Sequence, residues 1–150
     1  MPIYRMSQVI RRPVDVVFNT VIHLEQFPSW NPARNPSGRM LSGGQIGNGS
    51  RFELEIKGFG NVQQELQEFE TNKRVRVVPH IKPFRGGHRF VFIDLHDGST
   101  RIDHDLEITP NGWWWLMLPL MWWTGIGNLK ATMRAMQQHL DGSRDIVPPV

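Results

Sequence analysis

The chain has 150 residues, 39% of them apolar and 21% charged, which suits one globular domain with room for a sizeable core. It contains no cysteine, which excludes disulfides, thiolate metal ligands and a cysteine nucleophile. The net charge of +3 comes from scattered arginines rather than a Lys/Arg-rich block, so no nucleic-acid partner is expected. The first residues carry no signal-like apolar run and no stretch is long enough to span a bilayer, so a cytoplasmic location is expected.

In chain order, Ile3 to Ile10 predicts a first strand. Pro13 suits the first turn of a helix, where its missing N–H costs nothing. Val14, Val17, Phe18 and Val21 follow at helical spacing. Leu24 to Trp30 predicts a second short helix, limited by Pro28 and Pro32. Residues 31–50 are rich in turn formers, with a short strand near Arg39–Leu41 and a turn at Asn48-Gly49. Their glycines lack the Gly-Lys-Ser/Thr sequence of a phosphate loop.

A meander of strands follows. Arg51 to Lys57 alternates, with Phe52, Leu54 and Ile56 on one side. Val62 to Glu70 places Val62, Gln64 and Leu66 inward. Arg74 to His80, His88 to His96 and Ser99 to Thr109 complete the set. Short turns between them predict antiparallel pairing. An Asp97-Gly98 two-residue turn would set Asp94 opposite Arg101 and Val91 opposite His104. That register puts Val91, Ile93, Leu95, Ile102, Leu106 and Ile108 on the buried face, and points Arg89 and His104 toward it.

Five of the six tryptophans fall in Trp113 to Trp123. Beyond them Ile126, Leu129, Met133, Met136 and Leu140 form one helical stripe, with Gly142 as its expected end. A single domain over residues 1–142 is expected, followed by a flexible tail, 143–150.

With these elements placed, the chain resembles the START-like SRPBCC superfamily, which includes polyketide cyclase/dehydrase-like, lipid-transfer-like and Bet v 1-like proteins. The resemblance is carried by Arg12-Pro13-Val14-Asp15-Val16-Val17-Phe18, Leu24 through Pro32, Gly98-Ser99-Thr100-Arg101-Ile102 and Asn128-Leu129-Lys130. It spans about residues 3–140. It implies an α+β helix-grip fold: a curved seven-stranded antiparallel sheet around a long C-terminal helix, with two short helices after strand 1. It also implies a cavity for apolar small molecules. Members of such a superfamily differ in activity, so fold alone does not select one.

His104, flanked on its face by Ile102 and Leu106, is the foremost candidate for chemistry, as acid/base or as a ligand's hydrogen-bond partner. The competing reading is a core histidine satisfied by a backbone carbonyl or a water. Arg89 is the candidate oxyanion stabiliser, against a solvent-reaching alternative. The expected wall of the ligand site is Phe52, Leu54, Gln64, Ile102, His104, Trp115, Trp122 and Met133. No cofactor and no metal are expected, since His88, His96 and His104 do not converge in the expected register. Trp113–Trp123 reads as aromatics buried between helix and sheet, as aromatics lining the cavity mouth, or as an exposed patch, one that would touch a membrane surface transiently or join two subunits as a homodimer. The leading functional expectation is binding of a hydrophobic small molecule in a carrier or sensor role. A cyclase/dehydrase-type enzyme using His104 and a protein-interaction module are the alternatives.

Overall fold

The computed structural model describes residues 3–24, 38–56, 60–81 and 84–146. Its strands are β1 (Ile3–Ile10), β2 (Gly38–Met40), β3 (Arg51–Ile56), β4 (Gly60–Glu70), β5 (Arg74–Pro79), β6 (Phe84–Asp94) and β7 (Thr100–Pro110). Helix α1 (Val14–Ile22) follows β1, and a 3-10 turn (Gly112–Met117) leads into α2 (Leu118–Ile146). The expected helix at Leu24–Trp30 lies almost wholly outside the described residues.

All seven strands form one antiparallel sheet in the order β1-β7-β6-β5-β4-β3-β2. Strands β2 to β7 are a meander, and β1 closes onto β7. Strand alternation sends one set of side chains inward: Ile10 from β1, Ile102, His104 and Leu106 from β7, Phe92 from β6, Val75 and Val77 from β5, Val62, Gln64 and Leu66 from β4, Phe52 and Leu54 from β3. All are buried, and each such aliphatic or aromatic side chain stabilises the fold by roughly 1.5–3 kcal/mol. The opposite face carries ion pairs such as Arg5–Asp105, Arg39–Glu53 and Arg76–Glu107.

The helix α1 buries Val17, Phe18, Val21 and Ile22 against one end of this sheet. Helix α2 contributes Met133, Met136 and Leu140 to the core, as the stripe predicts. Gln8 Nε2 donates to the Met133 carbonyl (3.1 Å), Gln137 Nε2 to the Val9 carbonyl (3.1 Å), and the Arg11 N–H to Asp141 Oδ1 (3.3 Å). The helix therefore runs alongside β1 in the same direction. It is longer than expected at both ends. Pro119 is accommodated in its first turn, and the chain stays helical past Gly142, so the expected start of a tail at residue 143 falls inside α2. A glycine weakens a helix by only about 1 kcal/mol and need not end it. Among the described residues no helix is long and apolar enough to cross a membrane.

The β6–β7 register differs from the expected one by one residue. Phe90, not Val91, faces His104, and Asp94 faces Thr100. The connection is a three-residue loop, His96-Asp97-Gly98, closed by the Leu95 N–H donating to the Ser99 carbonyl. His96 and Gly98 both have positive φ, 60° and 83°. Asp94 and Asp97 brace this loop by accepting the N–H of His96 and Ser99. The shift swaps the two faces of β6: Phe90 and Phe92 turn inward, while Ile93 and Leu95 are exposed.

Candidate functional site

The corrected register brings together two histidines that the sequence reading kept apart. His104 is 2% exposed. It faces Met6 on β1 and Phe90 on β6. Phe90 stacks on its ring at 4.1 Å between centroids. His88, half-buried, lies diagonally across the hairpin, and its Nδ1 stands 2.9 Å from His104 Nε2.

Burial in this apolar setting, with His88 adding a smaller electrostatic contribution, pushes the His104 pKa down to about 2. The ring is therefore neutral at physiological pH. A neutral imidazole has one N–H and one lone pair. If His88 donates the shared hydrogen bond, Nδ1 of His104 is an N–H donor; if His104 donates, Nδ1 is an acceptor. In either case this buried atom has no hydrogen-bond partner among the described residues.

Backbone geometry holds the pair in place. Gly86 and Gly87 precede His88, and a Cβ on Gly86 would stand 2.1 Å from the Glu107 carbonyl oxygen. A Cβ on Gly87 would stand 2.6 Å from that of Val77. Gly86 also has φ +128°, outside the range of ordinary L-residues. The close approach of β6 to its neighbours at this level needs both glycines.

A row of rings connects the pair to the α1 end of the sheet. Phe90 lies 6.4 Å from Phe92, Phe92 is 5.1 Å from Phe18, and Phe18 is 5.4 Å from Phe69. Phe18 and Phe69 line an open cleft of about 520 Å³ between α1, β2, the 44–46 loop and the end of β4, together with Ile22, His23, Met40 and Ile46. At the opposite end of β6, Phe84 packs edge-on against Trp114 at 5.7 Å. The two ends of the concave face are thus an open cleft and a tryptophan cluster, and the histidine pair lies between them.

Of the expected wall residues, Phe52, Leu54, Gln64, Ile102, His104 and Met133 are buried, on the sheet's inner face or on α2. Trp115 is not buried with them: half of its surface is exposed on the 3-10 turn. The side chain of Trp122 lies outside the described residues. Arg89 requires correction. It occupies the outer face and makes two hydrogen bonds to Glu68, at 3.0 and 3.2 Å, with Glu107 nearby. Its pairing with Glu68 lowers that carboxyl's pKa. The cause is the same register shift, which reverses the parity of β6.

His88 was missed as an inward residue. The signal that would have found it is parity: placing the charged Arg89 outside puts His88, Phe90 and Phe92 inside together. His80 and His96 lie elsewhere, near Glu65 and in the hairpin loop. Among the described residues no group of three or more His, Asp or Glu could hold a metal ion.

No protein-family model and no curated protein matches this sequence. Solved structures do match. A START superfamily protein from Mycobacterium smegmatis superimposes with a TM-score of 0.73 at 17% identity, over 93% of this chain and 97% of that one. This is the START-type helix-grip fold. The di-domain ARO/CYC protein BexL, from the BE-7585A biosynthetic pathway, gives a TM-score of 0.76 at 11% identity, over 94% of this chain and 47% of its own. A norcoclaurine synthase from Thalictrum, solved as a point mutant with a transition-state analogue, gives 0.71 at 10% identity, over 95% and 96%. At these identities the likeness extends to the START-type fold and no further.

Proposed function

We propose that this protein binds a hydrophobic small molecule, lipid-like, polyketide-like or aromatic, against the concave face of the sheet, as a carrier or sensor, with His104 as the polar anchor. The observation that carries this reading is the unpartnered Nδ1 of His104. A buried polar atom left without a partner costs about 1–3 kcal/mol. A ligand hydroxyl or carbonyl meeting it would recover that cost, and the tautomeric freedom of the His88–His104 pair suits it to either group. Phe90, Phe92, Ile102 and Met133 would supply apolar contact, which provides most of the affinity in such sites.

The alternative is a cyclase/dehydrase-type enzyme with His104 as acid/base. The depressed pKa weighs against it. Burial holds the ring neutral, with a pKa well below the usual histidine range and far from the value near the operating pH that acid/base catalysis favours. Arg89, on the outer face, offers no oxyanion stabilisation beside His104.

The test is native mass spectrometry of freshly purified protein, followed by denaturing extraction and identification of whatever is released. The expected result is a stoichiometric apolar adduct in the wild type and a depleted one in His104→Leu. The reading fails if His104→Leu and Met133→Trp both retain the wild-type affinity for the released compound. It fails equally if the wild type is free of adduct and no compound from a lipid and aromatic panel stabilises it.

A further inference from the structure

We infer that the surface formed by the 3-10 turn and the start of α2 docks on an anionic lipid bilayer. The turn and first helical residues expose Trp113, Trp115, Leu116, Leu120 and Trp123, with Leu116 and Trp123 83% and 76% exposed. Leu120 and Trp123, three apart on α2, share one side of that helix, and Leu116 precedes them on the 3-10 turn. Trp113 and Trp114 stack at 4.4 Å, and Trp114 is braced by Phe84. A concentration of exposed large apolar side chains of this kind marks an interaction surface rather than ordinary surface scatter. Tryptophan combines a large apolar ring with one N–H donor, the chemistry of the bilayer–water boundary.

Charge selects the occupant. From Ile108 to Leu140 the chain contains no Asp or Glu, while it carries Lys130 and Arg134. Both are exposed on α2, one turn apart. No described carboxylate pairs with these two cations. Of the other cations, Arg5, Arg39, Arg74, Arg76, Arg89 and Arg101 each have an acidic partner, while Arg51 and Lys73 have none among the described residues. What sets Lys130 and Arg134 apart is that they follow the apolar patch on the same helix. An apolar patch flanked by uncompensated cations fits a surface that offers acyl chains beneath phosphates. Each cation near such a surface raises the affinity by about fivefold. A second copy of this segment would bring cations but no carboxylates of its own. Docking of this kind needs no ligand in the grip, so it stands or falls separately from the small-molecule reading.

The test is co-sedimentation with phosphatidylcholine vesicles, with and without phosphatidylglycerol, at low and high salt, monitored also by tryptophan fluorescence. The wild type should bind the phosphatidylglycerol vesicles about tenfold or more tightly than the neutral ones, with a blue shift in emission and with weakening at high salt. The double variant Leu116→Ser/Trp123→Ser, checked for native circular dichroism, should lose binding to both. Lys130→Glu/Arg134→Glu, which leaves the apolar patch intact, should lose the preference for anionic vesicles. Absence of wild-type binding at low salt would overturn the inference, as would binding that survives Leu116→Ser/Trp123→Ser. So would a concentration-dependent dimer that this double variant abolishes, if vesicles are not bound.

Discussion

Arg89 and His104 sit on adjacent rungs of one hairpin, yet their polar groups meet opposite fates. Arg89 lies on the outer face, where Glu68 accepts two hydrogen bonds from it and water reaches the pair. His104 lies on the inner face under Phe90, with one nitrogen bound to His88 and the other without a partner. Strand parity alone makes the difference. Charge that is paired at a surface says little about function, because exposed ion pairs contribute only about 0–1 kcal/mol. A polar atom that the fold buries and leaves unsatisfied is a cost, and a cost retained in a core is where a ligand is best sought.

The contrast depends on the register of β6, and the largest expected effect tests that register. Gly86→Ala should lose about 3 kcal/mol or more, because its Cβ would collide with the Glu107 carbonyl and its φ is strained for alanine. Gly98→Ala, also at positive φ but with nothing within 4 Å of its Cβ, should lose only about 1–2 kcal/mol. Urea unfolding of both variants checks this; equal losses would break the register and the two-faced reading with it.

A smaller effect concerns pH. The folded-state pKa of His104, about 2, lies below its unfolded value near 6.5. The unfolded state therefore binds the extra proton first. The stability that depends on a neutral His104 is complete above pH 6.5 and is lost as pH falls toward 2, by about 1.4 kcal/mol per unit. Thermal unfolding from pH 7 to 5 should show a loss of about 2 kcal/mol from this group in the wild type. His104→Leu should lack that component of the slope.

The smallest effect sharpens the other side of the comparison. Arg89→Leu should change stability by less than about 1 kcal/mol and leave ligand occupancy as in the wild type. The Glu68 carboxyl, released from its main hydrogen bond, should titrate at higher pH, which NMR of its side chain would report. A loss of ligand binding in Arg89→Leu would restore Arg89 to the site.

Most of the fold was legible in the sequence because its signals are local. Alternation at Phe52-Leu54 and Val62-Gln64-Leu66, and the Met133-Met136-Leu140 stripe, specify which face is buried without reference to any partner. The site was half legible for the opposite reason. His104 has clear neighbours in Ile102 and Leu106, so its inward direction could be read. In β6 both parities carry apolar residues, Phe90 and Phe92 against Val91 and Ile93, so periodicity cannot choose between them. The choice rests on one residue of loop length, and His96 adopts a left-handed conformation that the Asp97-Gly98 pair does not announce. The bulge in β4, where Glu68 has φ 49°, is equally silent in sequence, and it carries the carboxylate that pairs with Arg89. The tryptophan segment was ambiguous because burial and exposure of an aromatic run look alike until the neighbouring surface is known.

The central claim, that His104 is kept for binding rather than for stability, is tested most directly by urea unfolding of ligand-free wild type and His104→Leu at pH 7. Leucine has a similar volume and no polar atom to bury. Removing the unpartnered nitrogen recovers about 1–3 kcal/mol. The half-buried His88 gives up a hydrogen bond worth about 0.5–1.5 kcal/mol that water can replace. Stability should therefore be unchanged or higher, at unchanged slope. A loss of more than about 2 kcal/mol, beyond what the His88 bond accounts for, would mean that Nδ1 is satisfied within the folded protein, and would contradict the claim.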